Sequence, residues 1–272
     1  MNSSIVHRVG AVSFLNTVPL IYGLDERDDV LLSREVPSRL ADRLYDGQVD
    51  VGMIPVIEYL RGVGGDIVPG ICIGAKGPVH SVKVFSKVPL DEAETIAVDR
   101  GSRSSVALLR IILAELFDRQ PDLHTVTPRP EDPFCEHDTA LIIGDRAMKV
   151  DASRIYEYDL GAMWYELTQL PFVFAVWVLS PAYSRDESRE RRALLLSILK
   201  TAKQEGFSKL EELATEHSRR SGHGIQELMD YWSHSICYDM AEHELAGLQR
   251  FAELAREHNL CNGRETVQLA VA

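Results

Sequence analysis

A chain of 272 residues with 41 acidic and 29 basic side chains can bury two modest cores and carries a formal charge of −12. That charge argues against nucleic acid or an anionic membrane as the main partner and leaves small molecules and proteins. An anion can still be held at contact range by helix N-termini with a few local Arg, Ser and Asn groups. The first ten residues, MNSSIVHRVG, contain no apolar core of signal-peptide length, so a cytoplasmic location is expected. No stretch offers about 18 uninterrupted apolar residues, so a membrane span is not expected. Cys72, Cys135, Cys237 and Cys261 are scattered without a CxxC pairing, as reduced thiols and not a metal site would be.

Residues 9–23, VGAVSFLNTVPLIYG, pass from an apolar run into Ser13, Phe14, Leu15, Asn16 and Thr17 and then Pro19. This order predicts a buried strand, a polar turn and a helix starting near Pro19, with Ser13, Asn16 and Thr17 beside free helix N–H groups. Ser38 reads as the N-cap of a helix whose Leu40 and Leu44 share one face and which Gly47 ends. Residues 49–54 read as a short buried strand, and Pro55 as the first residue of another helix. Such a β-α-β-α order predicts a mainly parallel sheet with helices on its faces.

Residues 67–92 alternate apolar and polar positions around Gly70, Gly74, Gly77 and Pro78, which predicts two strands joined by a glycine-rich turn, with Ser81 just after it. A strand over 95–99 leads into Arg100, Gly101, Ser102, Arg103, Ser104 and Ser105 and a strongly apolar helix over 106–117. Three serines and an arginine at a helix mouth suit an anion, although Ser102 or Ser104 could equally cap the helix. A third junction covers 141–147, where Asp145 is either a helix N-cap or a cleft carboxylate. A Pro-, Glu- and Asp-rich segment fills 121–138, with a short strand near 124–126. A helix follows over 163–168, then a β-rich run over 172–179, then helices from 186 to 258 with stops at Gly206, at Ser221 and Gly222, and near 235–239. Residues 262–272 read as a tail or a final edge strand. The expected division is one lobe from 1–92 and 174–272 and a second from 93–173, with crossings near 84–94 and 172–179 and polar turns from both facing a cleft.

The pieces SFLNTVPL, GQVDVGMIPVIEYL, GPVHSVKVFSK, DRGSRSSVALL, LIIGDRAM and DLGAMWYELTQLPFVFAVW occur in this order over residues 5–180. Together they resemble the menaquinone-biosynthesis family of the futalosine route. The resemblance implies a two-lobed α/β fold of the type II periplasmic-binding-protein kind, with a helical C-terminal third, acting on a small dianion. It also implies loss of water from chorismate to give 3-[(1-carboxyvinyl)oxy]benzoate. A sister reaction forming 1,4-dihydroxy-6-naphthoate, or anion binding without catalysis, are the alternatives. Gln169 stands where the family pattern has a glycine, which points to a different local turn.

This elimination calls for no metal, nicotinamide or flavin, and the sequence offers no site for one. With the resemblance, Asn16 and Ser81 are the expected catalytic residues. Ser13, Thr17, Ser102, Arg103, Ser104, Ser105 and Asp145 are the expected substrate contacts. An uncharged amide at Asn16 can hydrogen-bond a carboxylate or a departing hydroxyl without repelling a dianion. Thr17 is more easily a helix cap. His80 is the histidine nearest a site. Trp164, Phe172, Phe174 and Trp177 are expected either to wall the cleft or to fill a strand core.

Overall fold

In the computed structural model, which describes residues 6–127, 134, 136–264 and 266–271, the short apolar runs form two five-stranded mixed sheets. The elements run β1 (His7–Val12), β2 (Val30–Glu35), α1 (Pro37–Tyr45), β3 (Val51–Pro55), α2 (Val56–Leu60), β4 (Ile67–Ala75), β5 (Val82–Ser86), β6 (Thr95–Asp99) and α3 (Ser104–Phe117). They continue with β7 (Asp122–Val126), β8 (Thr139–Ile143), β9 (Tyr156–Asp159), α4 (Leu160–Thr168), β10 (Phe172–Leu179), α5 (Arg189–Ser208), α6 (Leu210–Ser221), α7 (Ile225–Asp230) and α8 (Glu242–Glu257). The first sheet has the order β2-β1-β3-β10-β4 and the second β7-β6-β8-β5-β9. In each, three parallel strands are followed by one antiparallel strand, β10 or β5, that pairs on both sides. The expected two-lobed α/β architecture is present.

The first crossing differs from the sequence expectation. β4 and β5 are not a hairpin: they lie in different sheets, so the chain changes lobe within residues 76–81 and β5 pairs with β8 and β9. The division at residue 92 therefore leaves in the first lobe a strand that the second sheet holds. Glycine-rich punctuation marks a change of direction, and local pattern does not say which sheet receives the next strand.

Other boundaries moved for local reasons. Pro37 occupies the first turn of α1, so Ser38 lies inside the helix and caps nothing. Pro55 is the last residue of β3 and the N-cap of α2. Gly206 does not stop α5, which runs on to Ser208. There the helix meets Pro19 so closely that a Cβ on Gly206 would lie 2.1 Å from the Pro19 carbonyl oxygen. Gln169 ends α4 in the left-handed region at φ 58, the conformation a glycine adopts without strain. Trp164, Phe172 and Trp177 are fully buried core residues, with edge-on ring contacts linking Trp164, Phe172 and Phe251. Phe174 alone of that aromatic run lines the cleft. In the tail, Leu269 bridges Ile67 at one end of β4. Cys72, Cys237 and Cys261 are free thiols; Cys135 lies outside the described residues. No helix among the described residues is long and apolar enough to cross a membrane.

Candidate active site

The strand ends of both sheets open on one cleft. Its polar lining is Asn16, Ser81, Ser102, Arg103, Ser104 and Ser105; its apolar walls include Phe14, Ile73, Phe174 and Ile236. No Asp, Glu or His contributes to this lining among the described residues. Six of the nine expected site residues thus meet in one space. The other three do not reach it: Ser13 is exposed, Thr17 is fully buried, and Asp145 sits behind the wall.

Asn16 lies on a 3-10 turn, Leu15–Leu20, that replaces the expected helix. Pro19 sits within the turn and supplies no N–H, so the turn stays short and tight. Thr17 Oγ1 donates to Asn16 Oδ1 at 3.2 Å, so Thr17 caps no helix; it leaves the Asn16 amide NH2 as the group free to serve the cleft. The turn is pinned by the C-terminal third. Trp232 Nε1 donates to the Leu15 carbonyl at 2.8 Å, and the Tyr238 hydroxyl donates to the Asn16 carbonyl at 2.7 Å. Sequence reasoning missed both residues, along with Ile236. They sit in the π-turn after α7 and the non-helical stretch that follows it, with no local motif, and only tertiary packing carries them to the cleft.

Ser81 is placed by its neighbours. The Asp159 carboxylate accepts from the N–H groups of Val79 and His80 at 3.0 and 2.7 Å, and also caps α4 through Gly161 and Ala162. His80 is thereby held at φ 62 with its ring exposed, outside the cleft. Gly144 N donates to the Ser81 carbonyl at 2.8 Å. The Ser81 hydroxyl itself is buried and accepts from the Tyr231 hydroxyl at 2.8 Å.

At the mouth of α3, Ser102 is 5% exposed and its Oγ has no hydrogen-bond partner. A buried hydroxyl without a partner costs about 1–3 kcal/mol, so such a group is expected where a ligand supplies the missing atom. Ser104 Oγ accepts from Ile57 N at 3.3 Å across the lobes. Arg103 also spans them, with ion pairs to Asp42 at 3.0 Å and to Glu58 at 3.1 Å. Two carboxylates therefore already offset its charge.

Asp145 is the second residue of another 3-10 turn, Gly144–Lys149, and caps no helix there. Its Oδ1 accepts from Leu15 N at 3.0 Å, tying the second lobe to the Asn16 turn of the first. Burial pushes this carboxyl above its ordinary value, and the Leu15 N–H partly offsets that. Gly144, at φ 69, lets the Phe14 ring approach so closely that a Cβ would lie 3.0 Å from it.

Two α/β lobes around a cleft lined by neutral donors and one paired arginine have the periplasmic-binding-protein-like fold. Solved structures of that fold match nearly end to end. A protein of Archaeoglobus fulgidus superposes with TM-score 0.71 at 18% identity, covering 96% of this chain and 100% of that one. The periplasmic aliphatic sulphonate binding protein SsuA from Escherichia coli superposes with TM-score 0.61 at 16% identity, covering 95% and 94%. The chain belongs to the menaquinone biosynthesis family, whose model matches residues 7–257. It is 29% identical over 270 residues to the chorismate dehydratase of Thermus thermophilus, covering 90% of this chain and 93% of that protein. It is 24% identical over 259 residues to the chorismate dehydratase of Campylobacter jejuni, covering 92% and 98%.

Proposed function

We propose that the chain is a hydro-lyase that removes water from chorismate to give 3-[(1-carboxyvinyl)oxy]benzoate, in the cytoplasm, on the futalosine route to menaquinone. The observation that carries this reading is the unpartnered, buried Ser102 hydroxyl in a cleft whose polar lining is neutral apart from one paired arginine. Such a lining suits a dianion: it donates hydrogen bonds without placing a carboxylate beside the ligand. Membership of the menaquinone biosynthesis family and the likeness to proteins named chorismate dehydratase support chorismate as that dianion.

In the reaction, the C–H bond at the ring carbon bearing the enolpyruvyl ether breaks and its electron pair forms the third ring double bond. The hydroxyl on the neighbouring carbon departs, and with the released proton it makes one water. Aromatisation drives the step downhill, so the protein's task is to hold the eliminating conformation and exclude competing chemistry. The enolpyruvyl carboxylate reaches the proton through a six-membered ring of its oxygen, its carbon, the vinyl carbon, the ether oxygen, the ring carbon and the hydrogen. The substrate thus supplies its own base. Ser102, Ser105 and the first N–H groups of α3 bind one carboxylate. The Asn16 amide and the Ser81 hydroxyl donate to the departing hydroxyl.

The test is to incubate the purified chain with chorismate and follow the ultraviolet spectrum and the mass of the product. An aromatic product lighter by one water supports the proposal. Binding of chorismate without conversion assigns a binding protein instead, and absence of both turns attention to the naphthoate-forming sister reaction.

A further inference from the structure

We infer that Tyr231 is a positioning residue that fixes the hydrogen-bond direction of the cleft donor Ser81; this rests on the reaction proposed above. Tyr231 does not line the cleft. It lies behind Ser81, 2% exposed, and on its other side borders an outer recess with His80, Lys83, Met148, Glu227, Asp230 and Ser235.

A hydroxyl has one proton and two acceptor sites. The Tyr231 O–H gives its proton to Ser81 Oγ at 2.8 Å, so the Ser81 proton cannot point back along that line and is left for the cleft. Burial pushes the phenol far above its ordinary range, against the hydrogen bond with Ser81, so the ring stays protonated and the direction of donation does not change with pH.

The backbone supports this reading. Tyr231 opens a π-helical turn, Tyr231–Ser235, between α7 and the Ile236 segment. Turns of this kind are rare and concentrate at functional sites. Here the wide turn brings Tyr231 to Ser81 while the next residue, Trp232, reaches the Leu15 carbonyl. If the phenolic hydroxyl is removed, Ser81 keeps its place but loses the bond that orients its proton.

The experiment compares the unaltered chain with Tyr231→Phe, Ser81→Ala and the double variant, measuring kcat, KM, the dissociation constant for chorismate and the melting temperature. Tyr231→Phe is expected to lower kcat about tenfold or more, with KM changed less than about threefold and the fold intact. The double variant is expected to be scarcely worse than the more impaired single one, because the two act as one unit. Unchanged kcat in Tyr231→Phe, or losses that multiply in the double variant, overturn the inference. If the unaltered chain binds chorismate without converting it, the reaction fails. The same four dissociation constants then decide this inference, coupling between positions 81 and 231 supporting it and independence overturning it. Absence of both binding and turnover overturns both.

Discussion

Ser102 and Asn16 pull in the same direction for different physical reasons. The Ser102 hydroxyl is already desolvated and unpartnered in the ligand-free chain, so its cost is met before a carboxylate arrives. Ser102→Ala should leave the melting temperature equal or higher while raising KM for chorismate about tenfold, since a hydrogen bond to a charged acceptor contributes about 1.5–3 kcal/mol. Asn16→Asp keeps the size and adds a charge beside a dianion. It should lower kcat/KM by about a hundredfold or more, because like charges about 4 Å apart cost about 4 kcal/mol near a protein surface. Asp145 makes the contrast. Its carboxylate serves Leu15 N, and an amide oxygen can do the same. Asp145→Asn should therefore retain kcat. The pKa is raised in the folded chain, so the ionised form is penalised above that value and the penalty vanishes below the unfolded value of 3.8. The variant should accordingly melt higher than the parent at neutral pH and equally with it in strong acid, as calorimetry across that range would show. The six lining residues were readable from short polar turns at strand ends. Asp145 was not, because a Gly-Asp pair after a strand has the same local look whether it caps a helix or ties two lobes.

Between elements, the site depends on helices that carry no motif. α5 seats Pro19 against Gly206, while the π-turn and the segment after it supply Trp232, Ile236 and Tyr238. Periodicity predicted these helices and could not say where they dock, since an apolar stripe specifies burial and not a partner. Gly206 shows the difference. As a residue of a helix interior, its change to alanine would ordinarily stabilise by about 1 kcal/mol. In this fold the new methyl would overlap the Pro19 carbonyl, and the backbone of the turn must move. Gly206→Ala is expected to lose about 1–3 kcal/mol in denaturant unfolding. It should also lower kcat/KM, because Asn16 lies on the displaced turn. A more stable, fully active variant would show that α5 does not position the turn.

Across the whole molecule, the strands separate binding from stability. The cleft sits at the end of β1 where Val12 and Phe14 lie, whereas His7 begins the strand, about 17 Å away at 3.3 Å per residue. His7 is fully buried, with Nδ1 3.0 Å from the Tyr183 hydroxyl and Nε2 without a partner. Burial lowers its pKa, opposed by Asp50 and reinforced by Arg191. Burial lowers His217 in the same way. As pH falls below the unfolded value of 6.5, the unfolded chain takes up protons that the folded one refuses, so stability declines through that window until the lowered folded value is reached. The melting temperature should therefore drop between pH 7.5 and 5.5. His7→Asn retains a polar partner for Tyr183 and cannot titrate, so it should flatten that decline, leaving the share due to His217. Because His7 stands at the opposite end of the strand from the donors, the variant should leave the pH profile of kcat unchanged. A shift of that profile together with the melting curve would mean that the two ends of the first sheet are coupled.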